Sequence, residues 1–205
     1  ACFGQMAGYE RPMWFSKKNK KSIYKYSYGY QNWYQSAKRE CLNTRNNLGF
    51  FDLTPFVKFD LKGKYAHDQL QYLCANNIKN ISGKTTYTQM LNPSGGIEAD
   101  VTVSCLKKNY FRVICPALAR SHNKSHILKN LIFKIKFEDV TDKYSCIGLF
   151  GPNSRKFLSE LFGNHFSKKD FPFARGKYID FANSKIWFQR LSFIGELGWE
   201  IYIPI

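Results

Sequence analysis

The clearest pattern in the chain is a two-residue alternation that follows a turn cluster. Asn92-Pro93-Ser94-Gly95-Gly96 supplies the turn, after which Ile97, Ala99, Val101, Val103 and Cys105 alternate with Glu98, Asp100, Thr102 and Ser104. Successive side chains of a strand point to opposite faces, so the pattern predicts a hairpin whose return strand sets Asp100 and Thr102 together on its less apolar face. The incoming strand is expected over Thr85 to Leu91. Lys107-Lys108-Asn109 then turns the chain into a third strand, Tyr110 to Cys115.

Helical spacing appears elsewhere. Asn32 reads as the N-cap of an amphipathic helix running to about Asn46, with Trp33, Ala37, Cys41 and Leu42 as its apolar positions. Tyr65 to Leu73 places Ala66, Leu70 and Leu73 on one face, and a further helix is expected from about His122 to Ile132. Phe50 to Leu53 is a short apolar stretch. Phe56 to Leu61 alternates Val57, Phe59 and Leu61 against Lys58 and Asp60, the pattern of a half-buried strand. Further on come a strand at Ser145 to Phe150, a turn at Gly151-Pro152-Asn153-Ser154, a helix to about Phe162, and strands near 177–181, 184–191 and 199–203. Strands and helices without regular strand-helix-strand alternation predict an α+β fold of mixed antiparallel sheets with flanking helices. Residues 1–31 read as an extended connector arm, and 32–205 as the folded part, in two sub-units at about 32–138 and 139–205.

Composition narrows the function. Of 205 residues, 44% are hydrophobic, enough for a real core, and the 18 Phe, 13 Tyr and 4 Trp suit core packing or stacking on planar ligands. A formal charge of +16 attracts anions of any kind. Its densest run, Lys17-Lys18-Asn19-Lys20-Lys21 with Lys25, is interleaved with Tyr24, Tyr26, Tyr28 and Tyr30, which could stack on single-stranded bases; a solvated connector explains such a run better, and no nucleic-acid partner is expected. The six cysteines are widely spaced without a Cys-x-x-Cys pair, which fits a reducing compartment. No apolar run approaches the ~20 residues that cross a bilayer, so no membrane partner is expected. Starting at Ala1 and stopping after an apolar, strand-like stretch, the chain reads as a piece of something longer.

The candidate chemistry is sparse. Asp100 can serve as a general base or stabilise a cation if it lines a cavity, and simply meets water if it does not. Glu196 and Glu200 would share one side of a strand, with Gly195 and Gly198 marking a bend or a close approach. His122 and His126 have a metal-compatible spacing, but no third ligand accompanies them and no metal is expected. There is no Gly-x-Gly-x-x-Gly and no Walker-type loop, so neither a flavin nor a nucleoside-triphosphate site is legible.

Four ordered segments carry a family resemblance. Gly8-Tyr9-Glu10-Arg11-Pro12-Met13-Trp14-Phe15 resembles the Gly-Trp-Glu-Arg-Pro-x-Trp-Phe segment that leads out of the flavin part of dimethylglycine and sarcosine dehydrogenases. Phe51-Asp52-Leu53-Thr54-Pro55-Phe56-Val57-Lys58-Phe59 is similar to their next motif. Tyr87-Thr88-Gln89-Met90-Leu91-Asn92 leads into Gly95-Gly96-Ile97-Glu98-Ala99-Asp100 as it does there, and Gly195-Glu196-Leu197-Gly198-Trp199-Glu200 closes the set.

The resemblance implies a folate-binding fold shared with the aminomethyltransferase, or T-protein, of the glycine cleavage system, truncated here at its C-terminus. It implies tetrahydrofolate as cofactor, with FAD only in an upstream flavin domain of the same chain, and a one-carbon donor captured as 5,10-methylenetetrahydrofolate. Asp100 matches the carboxylate beside the reactive nitrogens. Glu200 matches the one that pairs with the pterin edge through two parallel hydrogen bonds. Phe56, Tyr87, Thr102, Ile114 and Phe193 fall on cavity-lining positions, Phe193 departing from the usual Tyr. Arg112 is placed to meet the folate's glutamate carboxylates, while the family arginine that clamps the tail lies beyond residue 205. The implied location is the mitochondrial matrix in a eukaryote or the cytoplasm in a bacterium. Two rival readings stay open: a non-catalytic relative, such as the regulatory subunit of pyruvate dehydrogenase phosphatase, and a stand-alone aminomethyltransferase.

Overall fold

A computed structural model describes residues 1–6, 9–16 and 21–205, so Gly8 of the first motif and Lys17 to Lys20 of the basic run lie outside the described residues. The arm is not simply extended. Strands β1 (Cys2–Met6) and β2 (Tyr9–Trp14) pair antiparallel as a separate two-stranded sheet. After it, Tyr24 packs on Trp33 with ring centroids 4.3 Å apart, whereas Tyr26, Tyr28 and Tyr30 are exposed.

The remaining strands are β3 (Gly49–Asp52), β4 (Val57–Lys62), β5 (Thr85–Leu91), β6 (Ile97–Lys107), β7 (Tyr110–Cys115), β8 (Lys136–Asp139), β9 (Tyr144–Phe150), β10 (Gly176–Phe181), β11 (Ser184–Gln189) and β12 (Gly198–Pro204). They form two five-stranded antiparallel sheets, ordered β5-β6-β7-β4-β8 and β10-β11-β12-β9-β3. Strand β3, which precedes all strands of the first sheet in the chain, crosses to pair with β9 of the second.

Three apolar clusters hold the layers. Leu70, Leu73 and Ile127, from helices α2 (Ala66–Leu73) and α3 (Arg120–Lys129), pack with Phe59, Val101, Phe111 and Val113 on the outer face of the first sheet. Leu158 of α4 (Ser154–Phe162) and Phe166 pack with Phe188, Trp199 and Ile201 on the outer face of the second. Leu106, Ile114, Cys146, Trp187 and Tyr202 form the core between the sheets. Both sheets are thus covered on both sides.

That double cover overturns the half-buried reading of β4. Lys58 and Asp60, the polar half of its alternation, are as buried as Val57 and Phe59 because they face the second sheet rather than water. The first helix is also corrected. Helix α1 (Tyr34–Asn46) turns Ser36 and Thr44 inward while Cys41 and Leu42 are exposed, and Asn32 bonds back to the arm, its Nδ2 donating to the Ile23 carbonyl at 2.8 Å. At the Thr44 end, size chooses this face. A Cβ on Gly151 would stand 2.4 Å from the Asn47 carbonyl and 2.7 Å from that of Thr44, so the helix end lies on neighbouring backbone with no room for larger side chains.

The hairpin alternation breaks once. Met90 pairs with Ala99 and Leu91 with Ile97, leaving Glu98 as an extra bulged residue. Its carboxylate meets His122 Nε2 of α3 at 3.0 Å instead of lining up with Asp100.

Candidate functional site

The register of the first sheet builds one wall. Tyr87, Thr102, Ile114 and Lys58 stand in a row across β5, β6, β7 and β4. Thr85, Ser104, Arg112 and Asp60 form the next row, and Gln89 with Asp100 the row on the other side. Along β6 the wall deepens from exposed Asp100 through half-buried Thr102 to fully buried Ser104; on β5 the buried end is again Thr85, beside Ser104, while Tyr87 is exposed and Gln89 half-buried.

At the rim, Asp100 is held by its neighbours on β5. Tyr87 Oη donates to Oδ2 at 2.9 Å and Gln89 Nε2 to Oδ1 at 3.3 Å. Donation to a carboxylate stabilises the neutral phenol, which pushes the Tyr87 hydroxyl above its ordinary range. Tyr87 itself is 58% exposed, so the Asp100 end of the wall is open.

Toward the deep part, half-buried Glu200 comes from β12 of the opposite sheet and leans on buried Gln189 and Tyr202. Tyr202 Oη and Gln189 Nε2 both donate to its Oε2, each at 2.7 Å. Burial pushes the Glu200 carboxyl above the usual carboxylate range, and the bonds from Tyr202 and Gln189 pull the other way. Glu196 does not share this side: it lies before β12 and forms an ion pair with Arg45 of α1. Gly195 takes a left-handed turn at φ +80°, whereas Gly198 is a close approach, since a Cβ there would stand 2.1 Å from Phe150 Cδ1.

The other sequence-derived residues divide. Phe56 and Thr102 are half-buried and Ile114 is buried in the inter-sheet core. Phe193 sits on the loop between β11 and β12 and is 88% exposed. Arg112 is not available to a ligand's carboxylates. It is buried, with Nε 2.8 Å from Asp60 Oδ1 and Nη2 3.1 Å from Oδ2, and its guanidinium lies 4.0 Å from the Tyr144 ring centroid. Burying a guanidinium that deep is costly unless a carboxylate opposes it, and Asp60 stands directly opposite in the β4–β7 register. Among the described residues no cluster of His, Cys, Asp and Glu is arranged to hold a metal ion.

Residues that sequence reasoning passed over are Lys58, Asp60, Ser104, Gln189 and Tyr202. The opposite charges of Asp60 and Arg112 were readable as a cross-strand pair once β4 was placed beside β7. Gln189 carried no signal of its own. Two surface recesses, of ≈ 440 Å³ at Ser121 to Lys129 and ≈ 240 Å³ around Asp170 to Lys177, include none of the candidate residues.

Fold and site together define a class: an α+β domain of two face-to-face antiparallel sheets whose shared face offers one carboxylate at an open rim and another in its depth. The chain belongs to the GCVT N-terminal domain family, whose profile matches residues 1–205. It is 32% identical over 203 residues to 4-methylaminobutanoate oxidase (formaldehyde-forming) of Paenarthrobacter nicotinovorans, covering 98% of this chain and 25% of that protein. It is 31% identical over 202 residues to mitochondrial dimethylglycine dehydrogenase of Rattus norvegicus, covering 97% of this chain and 24% of the relative. The fold is that of glycine cleavage system aminomethyltransferase T from Bartonella henselae, with a TM-score of 0.77 at 20% identity over 98% of this chain and 49% of the other. The chain spans about a quarter of the length of these curated relatives.

Proposed function

We propose that this domain binds tetrahydrofolate on the inter-sheet wall. There it serves capture of the one-carbon unit released when a flavin-bearing part of the same protein oxidises an N-methyl amine of the dimethylglycine or sarcosine kind. The product is 5,10-methylenetetrahydrofolate. The observation that carries this reading is Glu200, a half-buried carboxylate facing the wall with Oε2 fixed by two donors and Oε1 given no protein donor among the described residues. A desolvated, oriented acceptor of this kind suits the N–H edge of a heterocycle.

Tetrahydrofolate supplies the amine nitrogens that take up the carbon; the chain's own residues do the rest. Asp100, held at each oxygen by Tyr87 and Gln89 of β5, orients an N–H donor, can accept its proton at a carboxylate oxygen, and stabilises a cation beside it. Half-buried Phe56 and Thr102, backed by Ile114 in the core, offer a surface for planar rings, and Phe193 is a further, exposed ring on the loop between β11 and β12. Because Oε2 of Glu200 already accepts two bonds, recognition falls to the two lone pairs of Oε1, which revises the expectation of one bond to each oxygen. This reading puts the protein in the mitochondrial matrix of a eukaryote or the cytoplasm of a bacterium.

The test is single-turnover formation of methylenetetrahydrofolate by the intact protein carrying Asp100→Asn, with tetrahydrofolate affinity measured in parallel. The expected result is a loss of about 100-fold or more in rate, in line with removal of a general base, with affinity changed less than tenfold. A normal rate, or no tetrahydrofolate binding by the unmodified protein, refutes the proposal.

A further inference from the structure

We infer that Gln189 is a positioning residue, which selects the oxygen that Glu200 offers to the ligand and ties that carboxylate to the strand bearing Asp100. The inference rests on the folate reading above.

Gln189 is a fully buried amide at the end of β11 with every hydrogen-bonding position matched. Its Oε1 accepts from Ser104 Oγ at 2.7 Å and from Trp187 Nε1 at 3.1 Å. Its Nε2 donates to Glu200 Oε2 at 2.7 Å and to Tyr202 Oη at 3.3 Å. The orientation of the amide follows from its neighbours. An indole N–H can only donate, so the oxygen must face Trp187, and the NH₂ group must then face the carboxylate. Turning the amide over would set an N–H against an N–H and an oxygen against an oxygen.

The chain of bonds has a direction and a span. Ser104 shares a contact of 3.1 Å with Thr85 Oγ1 and passes its own proton toward Gln189, so the series runs Thr85, Ser104, Gln189, Glu200 from the first sheet into the second. Ser104 lies on the same face of β6 as Asp100, four residues or ~13 Å along the strand. Both lone pairs of Glu200 Oε2 are filled by Gln189 and Tyr202, and Oε1 is what remains. The ionisable groups around this carboxylate are Tyr202 on its own strand and Cys146 on β9. Beyond Cys146 lies Lys58 of β4, whose ammonium donates to the carbonyls of Thr54 and Phe56.

Removing the amide therefore does two things. It frees Oε2 to swing toward the ligand, and it deprives a desolvated anion of a donor, so Glu200 holds its proton to higher pH. The experiment is calorimetric titration of the intact protein with tetrahydrofolate under anaerobic conditions from about pH 5.5 to 9, for the unmodified protein, Gln189→Leu and Glu200→Gln. The unmodified protein is expected to lose affinity as falling pH protonates Glu200. In Gln189→Leu the midpoint of that limb moves up by about one pH unit, which is roughly tenfold weaker binding at a fixed pH below it, while the alkaline limit stays within about threefold.

A uniform loss of affinity with an unmoved midpoint marks a packing role and overturns the inference. Glu200→Gln separates the two claims, since affinity and pH limb both unchanged in that variant would defeat the folate reading at Glu200 whatever Gln189 does. If near-ultraviolet circular dichroism shows Gln189→Leu to be unfolded, Ser104→Ala takes its place. That variant loosens the amide without touching the donors of Glu200, and is expected to give a smaller shift in the same direction; an unmoved midpoint there also overturns the inference.

Discussion

Asp60→Asn isolates the buried pair that joins β4 to β7. The carboxylate is 1% exposed and accepts from Arg112 Nε at 2.8 Å, Arg112 Nη2 at 3.1 Å and Tyr110 Oη at 2.6 Å, with Lys62 Nζ at 3.5 Å. The amide keeps the shape but loses the charge, and its NH₂ group faces the donors. Arg112 is then left as a buried cation with no anion opposite it, keeping at most the amide oxygen as an acceptor beside the Tyr144 ring at 4.0 Å. Removing one member of a buried, hydrogen-bonded ion pair costs about 3–5 kcal/mol, which for a chain of this size is a fall in Tm of roughly 6–20 °C. Urea titration followed by tryptophan fluorescence gives the free energy. The matching double variant, Asp60→Leu with Arg112→Met, removes both charges and is expected to recover most of the loss, since it leaves no buried charge unpaired and costs only the Tyr110 hydroxyl, itself half-buried, its acceptor. A loss below about 1 kcal/mol in Asp60→Asn, or a double variant no better than the single one, would show that the pair is solvated and refute its placement between the sheets.

Three further outcomes follow from the same geometry. Glu200 has its folded pKa raised by burial, so its stabilising, protonated form is present at low pH and is lost as pH rises through that raised value. Glu200→Gln should therefore be more stable than the unmodified protein at about pH 8 and equal to it near pH 4; an equal difference at both, by urea titration, contradicts the burial of this carboxylate. Tyr87 should ionise above the ordinary tyrosine range in an ultraviolet difference titration and return toward it in Asp100→Asn, and no change between the two proteins would break the Tyr87–Asp100 bond. Gly198→Ala should cost about 1–3 kcal/mol by overpacking on Phe150, and Gly195→Ala, where nothing lies within 4 Å, about 1 kcal/mol of backbone strain; the reverse order in thermal melts would refute the distinction.

What the sequence made legible depended on how many faces each element buries. The turn at residues 92–96 and the strands beside it are the local kind of information: β5 lies at Thr85–Leu91 and β7 at Tyr110–Cys115, as the alternation and its punctuation predict. Sidedness was not legible, because alternation says that two faces differ without saying that one is wet. In β4 the polar face meets a second sheet, so Lys58 and Asp60 are inside. Helix α1 fails for the complementary reason, since close backbone approach at its end selects Thr44 over a bulkier apolar residue. The same logic separates the two carboxylates. Asp100 stands on a face whose register is fixed by its own hairpin, so its neighbours Tyr87 and Gln89 were within reach of local reasoning. Glu200 is defined by Gln189 and, through it, by Ser104, 85 residues apart in sequence. No pattern within either strand encodes that contact. A buried amide that satisfies four partners at once is visible only when both sheets are in place, which is why the recognition half of the candidate site had to come from the fold.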